Sequence, residues 1–364
     1  MSQLNYAMLA LARESRGVTQ NQLVEQIPNL NQGNYSKMEK GLISVPDETI
    51  SNIAKVLRYS KSFFFKRSVN TPISSFYYRK RVSMSKKDLS ILEAKLDIIR
   101  LIVDELLESV DIPDFNIPHF EVDDDTSATN IAIKIREFLK IPRGPISNLI
   151  EVLEAAGVII YFFKANVSKF DGITLLTDKG QPIIFINESI SNDRKLYTIA
   201  HELGHLIMHI PYSPLPTDRD EEKEANEFAG EFLMPYLDCR NDLMDLRYNQ
   251  LGTLKSYWKV SKAAIVYRAK NIYAITGERY TNLNIELSKN GEKKKETGFI
   301  DISEPKVVTL MINVHENNLG YSLNEMIELL GVNEDDYFEY FNRSVHNVSV
   351  KPKNVISLAS FVRS

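Results

Sequence analysis

Apolar positions in the first 66 residues recur every three or four places, the period of helices with one buried face. Leu4, Ala7, Met8, Leu11 and Ala12 form one such stripe and predict a helix over 4–14. Thr19, with Gln22 three residues later, is the pattern of a capping box and opens a second helix over 20–27. After the break Pro28-Asn29-Leu30-Asn31, a third helix is expected over 32–40, stopped by Gly41. A fourth is expected over 49–57, ahead of the cluster Phe63-Phe64-Phe65. Two short helices joined by a tight turn and flanked by packing helices predict a helix-turn-helix unit.

The pattern then changes. Residues 70–87 are polar and basic and read as a linker, an amphipathic stretch predicts a long helix over 86–109, and the prolines and acids of 111–125 predict a loop. Helices are expected over 127–139 and 145–156. Three β-branched or aromatic runs, at 158–163, 172–177 and 182–187, predict strands. The helical period returns over 192–209 and 220–233, ending at Met234-Pro235, with a helix pair over 251–257 and 261–272. A charged linker at 290–296 precedes a helical segment over 305–341. The fold class that follows is α+β. An all-helical N-terminal domain (1–68) leads through a linker with a long helix (69–126) to a domain of strands and helices (127–275). A helical C-terminal region (276–364) completes the chain.

Charge sharpens this division. The net charge of −4 conceals 14 Lys/Arg against 5 Asp/Glu in residues 1–87, leaving 30 against 43 in the rest. A basic module on an otherwise acidic chain is expected if only that module meets a phosphate backbone. No apolar run approaches the ~20 residues that span a bilayer, and the N-terminus lacks the features of a secretory signal. A cytoplasmic protein with no membrane partner is therefore expected. The single cysteine, Cys239, permits no intrachain disulfide and fits a reducing compartment; it reads as a spectator thiol.

The chemistry concentrates in His201-Glu202-Leu203-Gly204-His205. On a helix, residues four apart share a face, so His201 and His205 can aim two imidazoles at one tetrahedral metal. Glu202 then stands beside that metal as a general base. Gly204 allows another helix to approach closely. A third ligand is required, and His209 cannot supply it to the same metal: eight residues from His201, it lies about 12 Å along the axis. The acidic helix 220–233 is the better source. Ala225, Phe228, Ala229, Phe232 and Leu233 define its buried face, and Glu222 falls on the same side, with Asn226 one turn later expected to orient a ligand. Glu221 and Glu224 are the alternatives, whereas Glu227 and Glu231 read as solvated.

The string from Arg194 to His209 and the string Glu222-Lys-Glu-Ala-Asn-Glu-Phe-Ala-Gly-Glu-Phe-Leu-Met-Pro, with Gly144-Pro145 and Phe170-Asp171-Gly172, resemble the ImmA/IrrE family of bacterial and phage metallopeptidases across about residues 127–275. The resemblance implies a minimal zincin fold, with a small antiparallel sheet packed on the two motif helices, a gluzincin-like site and Zn2+ as cofactor. It also implies a role: cleavage of a cognate helix-turn-helix repressor that controls stress or mobile-element genes. The family's glutamate block carries the third ligand, which supports Glu222 and leaves Glu224 open. Zinc on His201, His205 and Glu222 would polarise a scissile carbonyl while Glu202 moves the proton. An edge strand, 183–187, is expected to pair with an extended substrate. His209, Tyr280 and Arg268 are the candidate donors to the developing oxyanion.

Residues 9–57 resemble the XRE or phage-repressor type of helix-turn-helix. DNA contacts are then expected from Gln20 and from Gln32, Asn34, Tyr35, Ser36 and Lys37, since Gln and Asn suit adenine and Lys37 or Lys40 a phosphate. Such modules usually read paired half-sites, which implies a homodimer on DNA. Three alternatives stand beside this reading. The module could dock a repressor's similar domain instead of DNA, the metal domain could act only as a sensor in a transcription regulator, or the chain could be the antitoxin-like partner of a toxin. The tail, 323–341, is too acidic for DNA and is expected to pack or bind a partner.

Overall fold

The computed structural model describes residues 3–67, 84–165, 170–212 and 219–341. Most of the expected basic linker lies outside the described residues. Among them, no helix is long and apolar enough to cross a membrane.

The N-terminal module consists of α1 (Ala7–Ser15), α2 (Gln20–Val24), α3 (Gln32–Glu39) and α4 (Asp47–Leu57). The Thr19/Gln22 capping box forms reciprocally at α2. At α3, Asn31 accepts from the backbone N–H of Asn34, so the departure at Pro28–Asn31 ends in an ordinary N-cap. Leu9, Leu23, Ile53 and Leu57 fill the module's interior, and Phe63 and Phe64 close it from a 3₁₀ turn. The next helix, α5 (Lys86–Leu106), is capped by Ser85 and buries Leu92, Leu96, Ile99, Val103 and Leu106 at helical spacing.

After α6 (Ala128–Phe138) and α7 (Leu149–Ala155) come β1 (Ile159–Phe163), β2 (Gly172–Leu176) and β3 (Pro182–Asn187). The sheet is mixed, in the order β1-β3-β2, and not the antiparallel sheet expected. β2 and β3 form an antiparallel hairpin, with Gly172 opposite Ile186, turned through Gly180 at φ 83°. β1 adds to the far side of β3 and runs parallel to it, with Ile159 opposite Ile183. β3 is thus the central strand, buried at all six residues, and not the edge expected at 183–187. Its continuous apolar run is the mark of a strand covered on both faces.

Those two faces belong to different cores. On one, Tyr161, Phe163, Leu175 and Phe185 join α5, the N-terminal module and α14 (Val307–Asn313). On the other, Ile160, Ile184 and Ile186 lie against α8 (Asn192–Met208), α9 (Glu221–Leu233), α11 (Leu251–Trp258) and α12 (Lys262–Asn271). Two helices in this half were not predicted: α10 (Tyr236–Leu243) and α13 (Gly277–Lys289). The last helices, α15 (Leu323–Leu330) and α16 (Glu334–Phe341), pack back on the N-terminal module. The expected C-terminal region therefore divides, α13 serving one core and α14 to α16 the other.

Candidate metal centre

α8 buries Leu196, Ile199, Ala200, Leu203, Leu206 and Ile207 in the core shared with the sheet. His201, His205 and His209 follow at four-residue spacing along another face. α9 meets α8 where a side chain is missing. A Cβ on Gly204 would stand 3.1 Å from the Phe228 ring and 3.4 Å from Ala225 Cα. Buried Phe228 and Phe232, each worth on the order of 2 kcal/mol, hold this contact. Arg136 of α6 fastens the other end of α9 by donating to Phe232 O at 2.6 Å.

This packing sets Glu222 across from the histidine pair. His201 Nε2 and His205 Nε2 lie 3.1 Å apart. The Glu222 carboxylate stands 3.6 Å from His201 Nε2 and 3.3 Å from His205 Nε2. Ligands about 2.0–2.1 Å from a tetrahedral zinc are separated by roughly 3.3–3.4 Å, so the two imidazole nitrogens and the Glu222 carboxylate, Oε2 toward His201 and Oε1 toward His205, are spaced for one such ion. The histidine side chains are 12% exposed and Glu222 is 47% exposed, so the group opens to solvent on the glutamate's side. His201, His205 and Glu222 form a group that could hold a metal ion.

Glu202 lies on the buried side of α8, 4% exposed. Its carboxylate accepts a hydrogen bond from the Thr174 hydroxyl of β2 at 3.1 Å. Thr174 is itself buried and had no sequence signal: one hydroxyl in an apolar strand is common, and only the fold brings it to Glu202. β2 is accordingly the sheet edge beside Glu202.

The other acids are used differently. Glu224 turns away to His209 Nε2, at 2.9 Å, and to the Arg219 guanidinium, at 2.6 Å. Burial opposes its ionisation, yet hydrogen bonds from Arg219 and His209 hold its carboxyl below the usual range. Burial likewise pushes His209 below the ordinary histidine range, with Glu224 opposing. Glu221 stands toward His205 and His209 instead of the His201/His205 pair. Asn226 donates to the Glu222 carbonyl at 2.7 Å and accepts from Tyr197 at 3.1 Å. It fixes the backbone of that turn, not the carboxylate. Glu227 is partly exposed and sits 3.8 Å from Lys223. Glu231, expected in solvent, is 2% exposed and paired with Arg268. That pairing also occupies Arg268, whose Nε donates to Met234 O at 3.0 Å, so it is not a donor toward substrate. The Tyr280 ring packs under the Lys270 ammonium at 4.7 Å. Cys239 is buried and its thiol is pushed by burial to about 11, which suits a spectator.

In the N-terminal module Gln32, Asn34 and Lys37 are exposed and Ser36 half-buried along α3. Gln20 is half-buried, accepts from Gln32 Nε2 at 2.7 Å and donates to Glu39 at 2.6 Å. Tyr35 corrects the expectation. Its side chain is wholly buried and its hydroxyl donates to Leu9 O at 3.3 Å, so it fastens α3 to α1 and offers nothing to DNA.

Residues 154–270 match the family model for the IrrE N-terminal-like domain, Peptidase_M78. The match spans all three strands and both helices of the histidine–glutamate group, and supports a metallopeptidase of the IrrE/ImmA kind. No curated protein matches the chain.

Proposed function

We propose that the chain is a zinc-dependent endopeptidase joined to a DNA-binding module, and that it cleaves a cognate helix-turn-helix repressor in the cytoplasm. The observation that carries the catalytic half is the group of His201, His205 and Glu222: the two Nε2 atoms lie 3.1 Å apart, and the Glu222 carboxylate approaches them at 3.6 Å through Oε2 and 3.3 Å through Oε1. Zinc held there would supply a Lewis acid that polarises the scissile carbonyl and lowers the pKa of water. Glu202 accepts the proton of the attacking water and returns it to the departing amine. Thr174 keeps one carboxylate oxygen engaged, which restrains the orientation of the Glu202 side chain. An extended peptide would add to β2 by main-chain pairing, since β2 is the sheet edge at Glu202.

Gln32, Asn34, Ser36 and Lys37, presented along α3 with Gln20 beside them, would read and grip DNA, and a homodimer would place two modules on paired half-sites. A second reading, a regulator whose metal domain senses and does not cleave, is favoured by one observation: the module shares a core with the sheet. Glu202→Gln separates the two. Incubated with zinc and its cognate repressor, the wild type should release discrete fragments, while Glu202→Gln should release none and keep its zinc. Unchanged control of target genes by Glu202→Gln in cells would overturn the peptidase and favour the sensor.

A further inference from the structure

The third histidine of α8 is too far along the helix to join His201 on one metal, yet it does not face solvent. His209 is 4% exposed, and its Nδ1 lies 2.8 Å from Nδ1 of His205. Its other ring nitrogen, Nε2, lies 2.9 Å from the Glu224 carboxylate. Glu224 is clamped in turn by Arg219, Nε at 3.1 Å and Nη2 at 2.6 Å. His205, His209 at the end of α8, Glu224 of α9 and Arg219, two residues before α9, are thus linked in sequence behind the metal group.

Two chemistries could explain a pair of imidazole nitrogens at such a distance, and the separation decides between them. A second metal held by His205, His209 and Glu221 would need its nitrogen ligands roughly 3.3–3.4 Å apart if tetrahedral. The observed 2.8 Å is short for that and ordinary for a hydrogen bond between nitrogens. Proton placement then follows. A carboxylate only accepts, so His209 Nε2 carries hydrogen toward Glu224 and leaves Nδ1 of the neutral ring as an acceptor. His205 Nδ1 must be the donor to it, which leaves a lone pair on His205 Nε2, the atom turned to His201 and Glu222.

We propose that His209 is a positioning residue for the metal: anchored by Glu224 and Arg219, it fixes the tautomer and ring orientation of His205. The proposal rests on the metal reading above and deepens it. A ligating histidine gains basicity and a fixed aim when its other nitrogen donates to a firm acceptor. Here a second imidazole takes the place of the usual carboxylate, and Glu224 acts one residue removed. The four-residue spacing that aligns His201 with His205 also aligns His205 with His209, so one helical repeat builds both the site and its support.

The test is zinc affinity, read by competition with a chromogenic chelator on the full chain, with cobalt(II) spectra recorded beside it. His209→Phe keeps ring volume and removes the acceptor. It should weaken zinc binding about 10–100-fold and alter the visible cobalt bands. His209→Gln, whose side-chain carbonyl can accept from His205 Nδ1–H, should recover most of the loss. Glu224→Gln, which keeps an acceptor but no charge, should weaken binding less than His209→Phe and in the same direction. Should His209→Phe lose its fold, the Glu224→Gln affinity and the nitrogen-15 signature of the His209 tautomer in the wild type decide alone. Wild-type affinity and cobalt bands in a folded His209→Phe would overturn the proposal. So would two zinc ions per wild-type chain, which would make His209 a ligand. A wild type that binds no zinc would instead fail the metal reading itself.

Discussion

Thr174 shows how much of a metallopeptidase-like site rests on a residue without a motif. Its hydroxyl donates 3.1 Å to the Glu202 carboxylate inside the core, where the low dielectric strengthens the bond. Thr174→Val preserves shape and removes that donor. Turnover should fall about tenfold, ~1.4 kcal/mol of barrier, with zinc content unchanged; an unaltered rate would show that Glu202 is aimed by other means. Reading by residue type anticipated the grouping where chemistry dictates spacing: His201 and His205 follow from four-residue periodicity, and Glu222 from the face that Ala225 and Ala229 define. It failed where a partner lies far along the chain. Glu231 looked solvated among its acidic neighbours because Arg268, its partner, is thirty-seven positions away. Tyr35 looked like a DNA contact because an aromatic at a helix start can serve either a surface or a core.

At the scale of elements, the strong periodic segments were all foreseeable and the quiet ones were not. α13 buries only Leu283 and Leu287 in an otherwise polar stretch, too thin a stripe to stand out. The parallel pairing of β1 with β3 was equally hidden, since the apolar run of β3 marks burial on both faces but not which neighbour it pairs with or in which direction. α9 shows what its packing requires. Its C-terminal turn carries Glu231, whose carboxylate accepts from the Tyr236 N–H at 2.9 Å and from Arg268. Both members of that ion pair are at least nine-tenths buried. Removing one partner leaves the other charge stranded, at a typical cost of about 3–5 kcal/mol. Glu231→Ala should therefore lower stability by that order in urea titrations. A loss below about 1 kcal/mol would mean that Arg268 finds another acceptor.

Across the whole molecule, the sheet is a wall between two cores, and the C-terminal helices tie the N-terminal module to it. Arg16 of the module makes a bidentate pair with Asp336 of α16 and also donates to Leu57 O at 2.8 Å. Ser62 donates to Glu328 O at 2.8 Å, and Lys66 to Leu329 O at 2.6 Å. The acidic tail thus meets basic groups away from α3, which leaves Gln32, Asn34 and Lys37 exposed. Asp336→Ala should destabilise the chain by about 2 kcal/mol, the scale of a charge-assisted hydrogen-bonded pair. It should also raise hydrogen exchange in α1 and α4 more than in α8. Uniform exchange across all three helices would contradict the tie.

The central claim is that His201, His205 and Glu222 hold one zinc ion. Its most direct test is the zinc content of the purified chain at saturating zinc, measured beside Glu222→Ala and Glu224→Ala. One zinc per chain is predicted for the wild type and for Glu224→Ala, and none for Glu222→Ala. A wild type without zinc, or a site lost with Glu224→Ala and kept with Glu222→Ala, would contradict the account.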